Sequence, residues 1–326
     1  SIAVITILLF LNGWFQGIGW PPSGRVMVHW FSHKERGVKM SIWNVAHNVG
    51  GGLVGPLAIA GVAIFGTWEA KLYFPAFIAI IVALVAYFLI RDTPQSEGLP
   101  PIEVYKHDAA KTYNAEAEKE LSAKEIFFKY VLNNKLLWMI AIANVFVYTV
   151  RYGVLNWAPA YLEQAKGMSL QETGWAYFLY EWAGIPGTLL CGWISDKLFK
   201  GRRAPTIVLF MAFVLVGVLM YWLNPPGNIL VDSIALVIIG FFIYGPVMLI
   251  GVQALDLAPK KAAGTAAGLT GLFGYMGDVL LANMLIAWVV QKISWDYAFY
   301  ILIAACVLSI VFTATTWKKE KQLQEG

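Results

Sequence analysis

The stretch Leu136-Leu-Trp-Met-Ile-Ala-Ile-Ala-Asn144-Val-Phe-Val-Tyr148-Thr-Val-Arg151-Tyr-Gly-Val-Leu155-Asn156-Trp-Ala-Pro-Ala-Tyr161 is long and apolar enough to span a membrane, yet it carries an arginine at its middle. At the rise of an α-helix, Arg151 lies about 15–20 Å from either end. Its guanidinium cannot snorkel to water over that distance. A charge there is costly unless an anion or a wet cavity receives it. Arginine keeps its charge, and its planar fork fits a phosphate or a carboxylate. A fixed cation near the bilayer midplane is the kind of group a transporter keeps at its substrate site. The structural alternative is a pair with an acid on another span, for which Glu181 and Asp278 are the candidates. Asn144, Tyr148 and Leu155 share the Arg151 face by three- and four-residue spacing, and Tyr148 can donate a hydrogen bond to the same anion.

The rest of the chain fits that reading. Of 326 residues, 59% are hydrophobic and 13% charged, against about 25% charged in soluble domains, so a soluble globular domain is excluded. Mean hydropathy is +0.63. Cys191 and Cys306 both lie in apolar stretches, which predicts two core thiols rather than a disulfide framework. No zinc-type cluster, phosphate-binding Gly-x-x-x-x-Gly-Lys-Ser/Thr loop or nucleophile–base constellation is present. No metal, cofactor, nucleic-acid partner or enzymatic activity is therefore expected, and transport would run on gradients.

Nine apolar runs are long enough to cross a bilayer as helices: 2–20, 40–65, 73–91, 136–161, 172–194, 205–223, 231–254, 264–290 and 296–316. The segments 20–39, 91–135, 195–204, 255–263 and 317–326 hold twenty of the twenty-four Lys and Arg. The intervening loops hold one each, Lys71, Lys166 and Lys292. By the positive-inside rule the rich loops and the C-terminus are cytoplasmic, and residue 1 starts on the outer side. That start predicts an odd number of further helices upstream.

An internal repeat sets their number. Gly13-Trp-Phe-Gln16-Gly17 leads to His33-Lys-Glu-Arg36-Gly37, and Gly240-Phe-Phe-Ile-Tyr244-Gly245 leads to Pro259-Lys-Lys-Ala-Ala-Gly264. The first and seventh spans thus hold equivalent places. The expectation is an all-α membrane bundle with nine helices of a twelve-helix plan, the parallel-repeat design of the major facilitator superfamily. Its parts would be 1–91, the last three helices of an N-terminal half; 92–135, a central cytoplasmic loop with a helix-like run over 115–130; and 136–326, a six-helix C-terminal half. Gly192-Trp-Ile-Ser-Asp196-Lys-Leu-Phe-Lys-Gly-Arg202-Arg203 resembles a loop of that superfamily, at the place where the superfamily has it.

His47 stands in Ser41-Ile-Trp43-Asn44-Val-Ala-His47-Asn48-Val-Gly50-Gly-Gly52, with Asn44 on its helix face. Histidine titrates near neutrality and can add an adjustable positive charge beside Arg151. Gln16, Trp20, Tyr244 and Tyr275 add polar or amphipathic groups to other spans. Trp20 precedes Pro21-Pro22 and would serve equally well as an interface-belt residue.

The chain resembles the bacterial organophosphate:phosphate antiporter family. The matching stretches include Gly13-Trp-Phe-Gln-Gly-Ile-Gly-Trp-Pro-Pro22, Trp43-Asn-Val-Ala-His-Asn-Val-Gly-Gly-Gly52, Arg91-Asp-Thr-Pro-Gln95, Asn144-Val-Phe-Val-Tyr148 through Arg151-Tyr-Gly153, and Ala258-Pro-Lys-Lys-Ala-Ala-Gly-Thr-Ala-Ala-Gly268. The resemblance implies a monomeric carrier in the bacterial cytoplasmic membrane that exchanges glycerol 3-phosphate for inorganic phosphate. It implies that Arg151 and His47 are two of the family's phosphate-handling residues. Gln16, Trp20, Trp43, Asn44, Tyr148, Tyr244 and Tyr275 would line or border the path. Asn156 stands where the family pattern has Asp, and Asp278 where it has a small residue. Those departures keep hexose phosphate or phosphoglycerate as alternative cargo, and a non-transporting sugar-phosphate sensor as an alternative role.

Overall fold

The structure is a computed structural model and describes residues 2–107 and 122–325. Among the described residues there are helices and no strands, as the long apolar runs require. α1 (Ile2–Gln16) stops at Gly17 to Gly19, and α2 (Trp20–Trp30) begins with Pro21 and Pro22 in its first turn. Proline belongs there, because the first helical N–H groups have no intrahelical acceptor. The expected span 2–20 therefore continues as helix to Trp30, and Trp20 opens a helix rather than closing one. α3 (Arg36–Phe65) ends on Gly66, whose φ of 71° needs a residue without a side chain. α4 (Ala70–Leu89) follows. The central loop holds a 3₁₀ turn at Pro94–Glu97, α5 (Ile102–Tyr105) and a π-helical turn at Glu125–Leu132. Of the helix expected over 115–130, residues 115–121 lie outside the described residues.

α6 (Lys135–Gln164) is capped by Asn134, whose Oδ1 accepts from the backbone N–H groups of Leu136 and Leu137 at 3.0 and 3.3 Å. α7 (Leu170–Trp193) opens with a Ser169/Glu172 capping box. α8 (Arg203–Leu223) and α9 (Ile229–Leu257) follow. α10 (Ala263–Met276), a π-helical stretch Gly277–Leu285 and α11 (Ile286–Lys292) run on as one rod, and α12 (Trp295–Glu325) closes the chain. Every expected span falls on one of these rods. Among the described residues, seven are long and apolar enough to cross a membrane by length and composition. The other two, α3 and α7, are 30 and 24 residues long and are the ones that carry His47 and Glu181.

α6 to α12 pack into one bundle. Its tightest contact is α7 against α9: a Cβ on Gly187 would lie 1.7 Å from the carbonyl oxygen of Phe241, and one on Gly240 2.1 Å from that of Tyr180. Only glycine lets these backbones approach so closely. α2 and α3 lean on this bundle, α2 against α10 and α3 against α7 and α9. α1 and α4 turn large apolar side chains such as Phe10, Leu9, Phe88 and Leu89 outward. The two cysteines are buried free thiols, as expected.

At the end bearing the basic loops, α2 and α3 are clasped to the bundle by charge. Arg203 is fully buried, donates from Nε to Asp256 at 3.0 Å, and also donates to Asp196, to Ser195 and to the carbonyl of His33. Arg36 pairs with the same Asp256, and His33 Nδ1 lies 3.2 Å from it. Asp196 accepts from the backbone N–H groups of Gly37 and Val38 at 3.1 and 2.7 Å, so it caps the first turn of α3. This is the use the fold makes of the Gly192-to-Arg203 motif.

Candidate functional site

Arg151 sits at the middle of α6 with 6% of its surface exposed. Among the described residues it makes no ion pair. One terminal nitrogen, Nη2, lies 3.2 Å from His47 Nε2 on α3. A guanidinium has only donors, so His47 accepts here and is the neutral tautomer with its proton on Nδ1. Two ring faces flank the charge: Arg151 Cζ is 4.8 Å from the centre of Tyr152 and 4.7 Å from that of Tyr244. The guanidinium Nε is buried with no hydrogen-bond partner.

The acids expected as candidate partners go elsewhere. Glu181 Oε2 accepts from the Tyr244 hydroxyl at 2.6 Å, so it reaches Arg151 only through that ring. Asp278, on the π-helical stretch, accepts from Asn283 Nδ2 at 2.6 Å. Asn283 Oδ1 accepts in turn from Asn156 at 3.1 Å, which joins Asn156 to Asp278 through one amide. π-helical turns re-aim side chains and recur at functional sites. Gly184 on α7 makes room for the ring beneath Arg151, because a Cβ there would lie 2.4 Å from Tyr244 Cδ2.

Magnitudes show what this arrangement can do. A buried cation–π contact is worth about 2 kcal/mol or more. Two of them offset much of the roughly 2.5–3.5 kcal/mol that a mid-membrane arginine costs on insertion scales. They do so with polarisable ring faces, which leave the hydrogen-bonding edge available. Breaking a buried carboxylate pair would cost about 3–5 kcal/mol before any cargo could bind. The site is thus a stabilised cation with unused donor capacity, suited to reversible capture of an anion.

The other expected residues fall around it unevenly. Tyr148 extends the aromatic lining, 5.6 Å from Tyr152 and 5.6 Å from the exposed ring of Tyr275. Trp43 and Asn44 lie one turn from His47 on α3. Trp20 packs on Trp43 at 4.8 Å and on the bare backbone of Gly251, nearer the clasped end. Gln16 is exposed at the end of α1. Asn144 turns its Nδ2 to the Thr270 carbonyl at 2.8 Å and ties α6 to α10. Tyr152 and Tyr180, whose hydroxyl donates to the Arg151 carbonyl at 3.4 Å, escaped the sequence reading. Tyr152 follows Arg151 directly, and adjacent residues do not share a helix face in a spacing argument.

Comparison with known proteins agrees with the fold. The chain is 62% identical over 324 residues to the glycerol-3-phosphate transporter of Bacillus subtilis (strain 168), a match covering 99% of this chain and 73% of that protein. It is 51% identical to the glycerol-3-phosphate transporter of Haemophilus influenzae, covering 95% of this chain and 70% of that one. Among solved structures, the proton:xylose symporter XylE bound to 6-bromo-6-deoxy-D-glucose superposes with a TM-score of 0.66 at 16% identity, over 93% of this chain and 70% of XylE. At that identity the likeness concerns fold alone. The profile of the Major Facilitator Superfamily matches residues 1–282. With transporters as its relatives and a multi-pass helical bundle as its architecture, this chain belongs to the Major Facilitator Superfamily.

Proposed function

We propose that this protein is a secondary transporter that exchanges glycerol 3-phosphate for inorganic phosphate by alternating access. One observation carries the reading: Arg151 is buried at mid-bundle with aromatic faces beside it, no carboxylate on it and a guanidinium nitrogen without a partner. The names of the relatives at 62% and 51% identity support glycerol 3-phosphate as the organic cargo.

In this mechanism residues 1–91 and 136–326 act as parts of two halves that rock about the site, with 92–135 as their cytoplasmic connection. By the positive-inside rule the basic loops support an orientation in which the clasped end and the C-terminus face the cytoplasm, in a bacterial inner membrane. The ion pairs around Asp256 and Arg203 hold that end shut, so cargo arrives from outside. Phosphate oxygens take the free donor edge of Arg151. Displaced from the guanidinium, His47 Nε2 gains a proton and adds a second positive charge, or accepts from a monoprotonated phosphate. Attraction of both sides for one anion offsets the strain of closing over it and lowers the barrier to opening the clasp. Inorganic phosphate, bound by the same donors from the other side, resets the cycle. Arg151 must hold the anion loosely enough for release.

The test is uptake of labelled glycerol 3-phosphate by proteoliposomes loaded with inorganic phosphate. Expected is uptake that depends on internal phosphate and is matched by phosphate efflux. Binding of glycerol 3-phosphate without exchange would identify a sensor instead and overturn the proposal, as would uptake indifferent to internal phosphate.

A further inference from the structure

Beyond the Arg151 cluster, toward the end away from the clasp, α6 and α7 separate around an open recess of about 440 Å³. Asn156, Pro159 and Glu163 line it from α6, and Thr173, Gly174 and Tyr177 from α7. None of its lining residues is Lys or Arg, and its one charge is the exposed carboxylate of Glu163. The nearest lysine in sequence, Lys166, is buried and turned to Asp232 at 3.3 Å. This surface offers an anion no cationic partner. Its polar groups are an amide and two hydroxyls, which both donate and accept.

One of those groups lacks a partner. Thr173 is only 3% exposed, and its Oγ1 is buried without a hydrogen bond. Buried hydroxyls are normally satisfied by protein, by ordered water or by a ligand. Thr173, Tyr177 and Glu181 recur every four residues and lie along one face of α7. Glu181 holds the Tyr244 hydroxyl, and the Tyr244 ring lies against Arg151. On α6, Asn156 is five residues beyond Arg151, about 7.5 Å along the axis and about 140° around it. Thr173, Tyr177 and Glu181 thus lead along α7 from the recess to the Tyr244 ring beside the cation, with the Glu181 carboxylate as the last of them.

We propose that this recess binds the uncharged, hydroxyl-bearing end of a phosphate ester, with Thr173, Tyr177 and Asn156 as its hydrogen-bonding residues, and so sets selectivity between an organic phosphate and inorganic phosphate. The inference rests on the proposed exchange. A cargo with its phosphate on Arg151 extends its carbon chain toward Tyr177 and the recess. Inorganic phosphate has no such end and gains nothing from the recess. Glu163 at the rim accepts from a hydroxyl and disfavours cargo with a second anionic group.

Thr173→Val keeps the side-chain shape and removes the hydroxyl; Tyr177→Phe does the same for the ring; Thr173→Ser restores the donor and acceptor. Each is purified, reconstituted, and measured both for glycerol 3-phosphate uptake and for phosphate–phosphate self-exchange. Expected for the Val and Phe variants is a KM for glycerol 3-phosphate raised about three- to tenfold, with self-exchange within about twofold of the unmodified protein, and recovery in Thr173→Ser. An equal loss for both cargoes would mean a structural role and overturn the proposal, as would an unchanged KM in both variants. If the unmodified protein carries out no phosphate self-exchange, the exchange reading fails on its own and the failure is not assigned to the recess.

Discussion

Arg151 and Arg203 are both buried arginines in the same bundle, and the structure treats them in opposite ways. Arg203 donates to two carboxylates, a serine hydroxyl and a backbone carbonyl, and ties α2 and α3 to the bundle. Arg151 touches two ring faces and a neutral histidine, with one nitrogen unused. The difference separates a charge used for architecture from one kept for a visitor. A saturated guanidinium is expensive to disturb, so it fixes one conformation until the whole cluster lets go. A guanidinium held by polarisable faces costs little to engage, so its partner can come and go.

The comparison breaks first if the two arginines respond alike to removal. Arg203→Met leaves Asp196 and Asp256 buried without their main partner and should lower stability by about 3–5 kcal/mol, measured as a fall in Tm in detergent. Arg151→Met strands no carboxylate and should leave Tm unchanged or raise it. Equal destabilisation by both would end the distinction. Next in size, Arg151→Lys keeps the charge and loses the fork, so exchange of glycerol 3-phosphate should drop about 10- to 100-fold with stability nearly unchanged. Near-normal exchange would place the phosphate elsewhere. Gly184→Ala sharpens the role of the ring: its Cβ collides with Tyr244, and overpacking of this kind costs about 1–3 kcal/mol. Its KM for phosphate should rise several-fold through displacement of the ring from Arg151, and combining it with Tyr244→Ala should relieve the clash. The smallest effect concerns Asp278, which Asn283 holds on the π-helical stretch. Asp278→Asn removes a competing negative charge and should lower the KM for phosphate about two- to threefold, most visibly at low salt.

The spans were legible because hydrophobic length is written locally. Leu136 to Tyr161 reads as a membrane helix without reference to any other residue, and the nine runs all fall on helical rods. His47 and Arg151 were candidates for a shared site, since each is a polar group in an apolar run, and the structure brings them to 3.2 Å. The motif at Gly192 to Arg203 was recognisable as a pattern. Its role was not, because Asp196 caps a helix 159 residues away in sequence. Trp20 reads as a path-lining or interface-belt residue at the end of the run 2–20, whereas proline in a first turn starts a helix there. Glu181 and Asp278 were candidates for pairing with Arg151 on charge alone. Tyr244 and Asn283 hold them instead, and hydrogen-bond partners across helices depend on rotation and depth that no linear spacing encodes.

Sequence by itself determined that this chain crosses a membrane repeatedly, which loops carry the positive charge, and that a permanent cation lies mid-span. Those follow from transfer free energies, which add residue by residue along a helix. Only the tertiary structure decided which buried arginine is saturated and which is open, because that depends on what the neighbouring helices bring within about 3 Å of each guanidinium. Two identical side chains, each buried, acquire different functions from their surroundings.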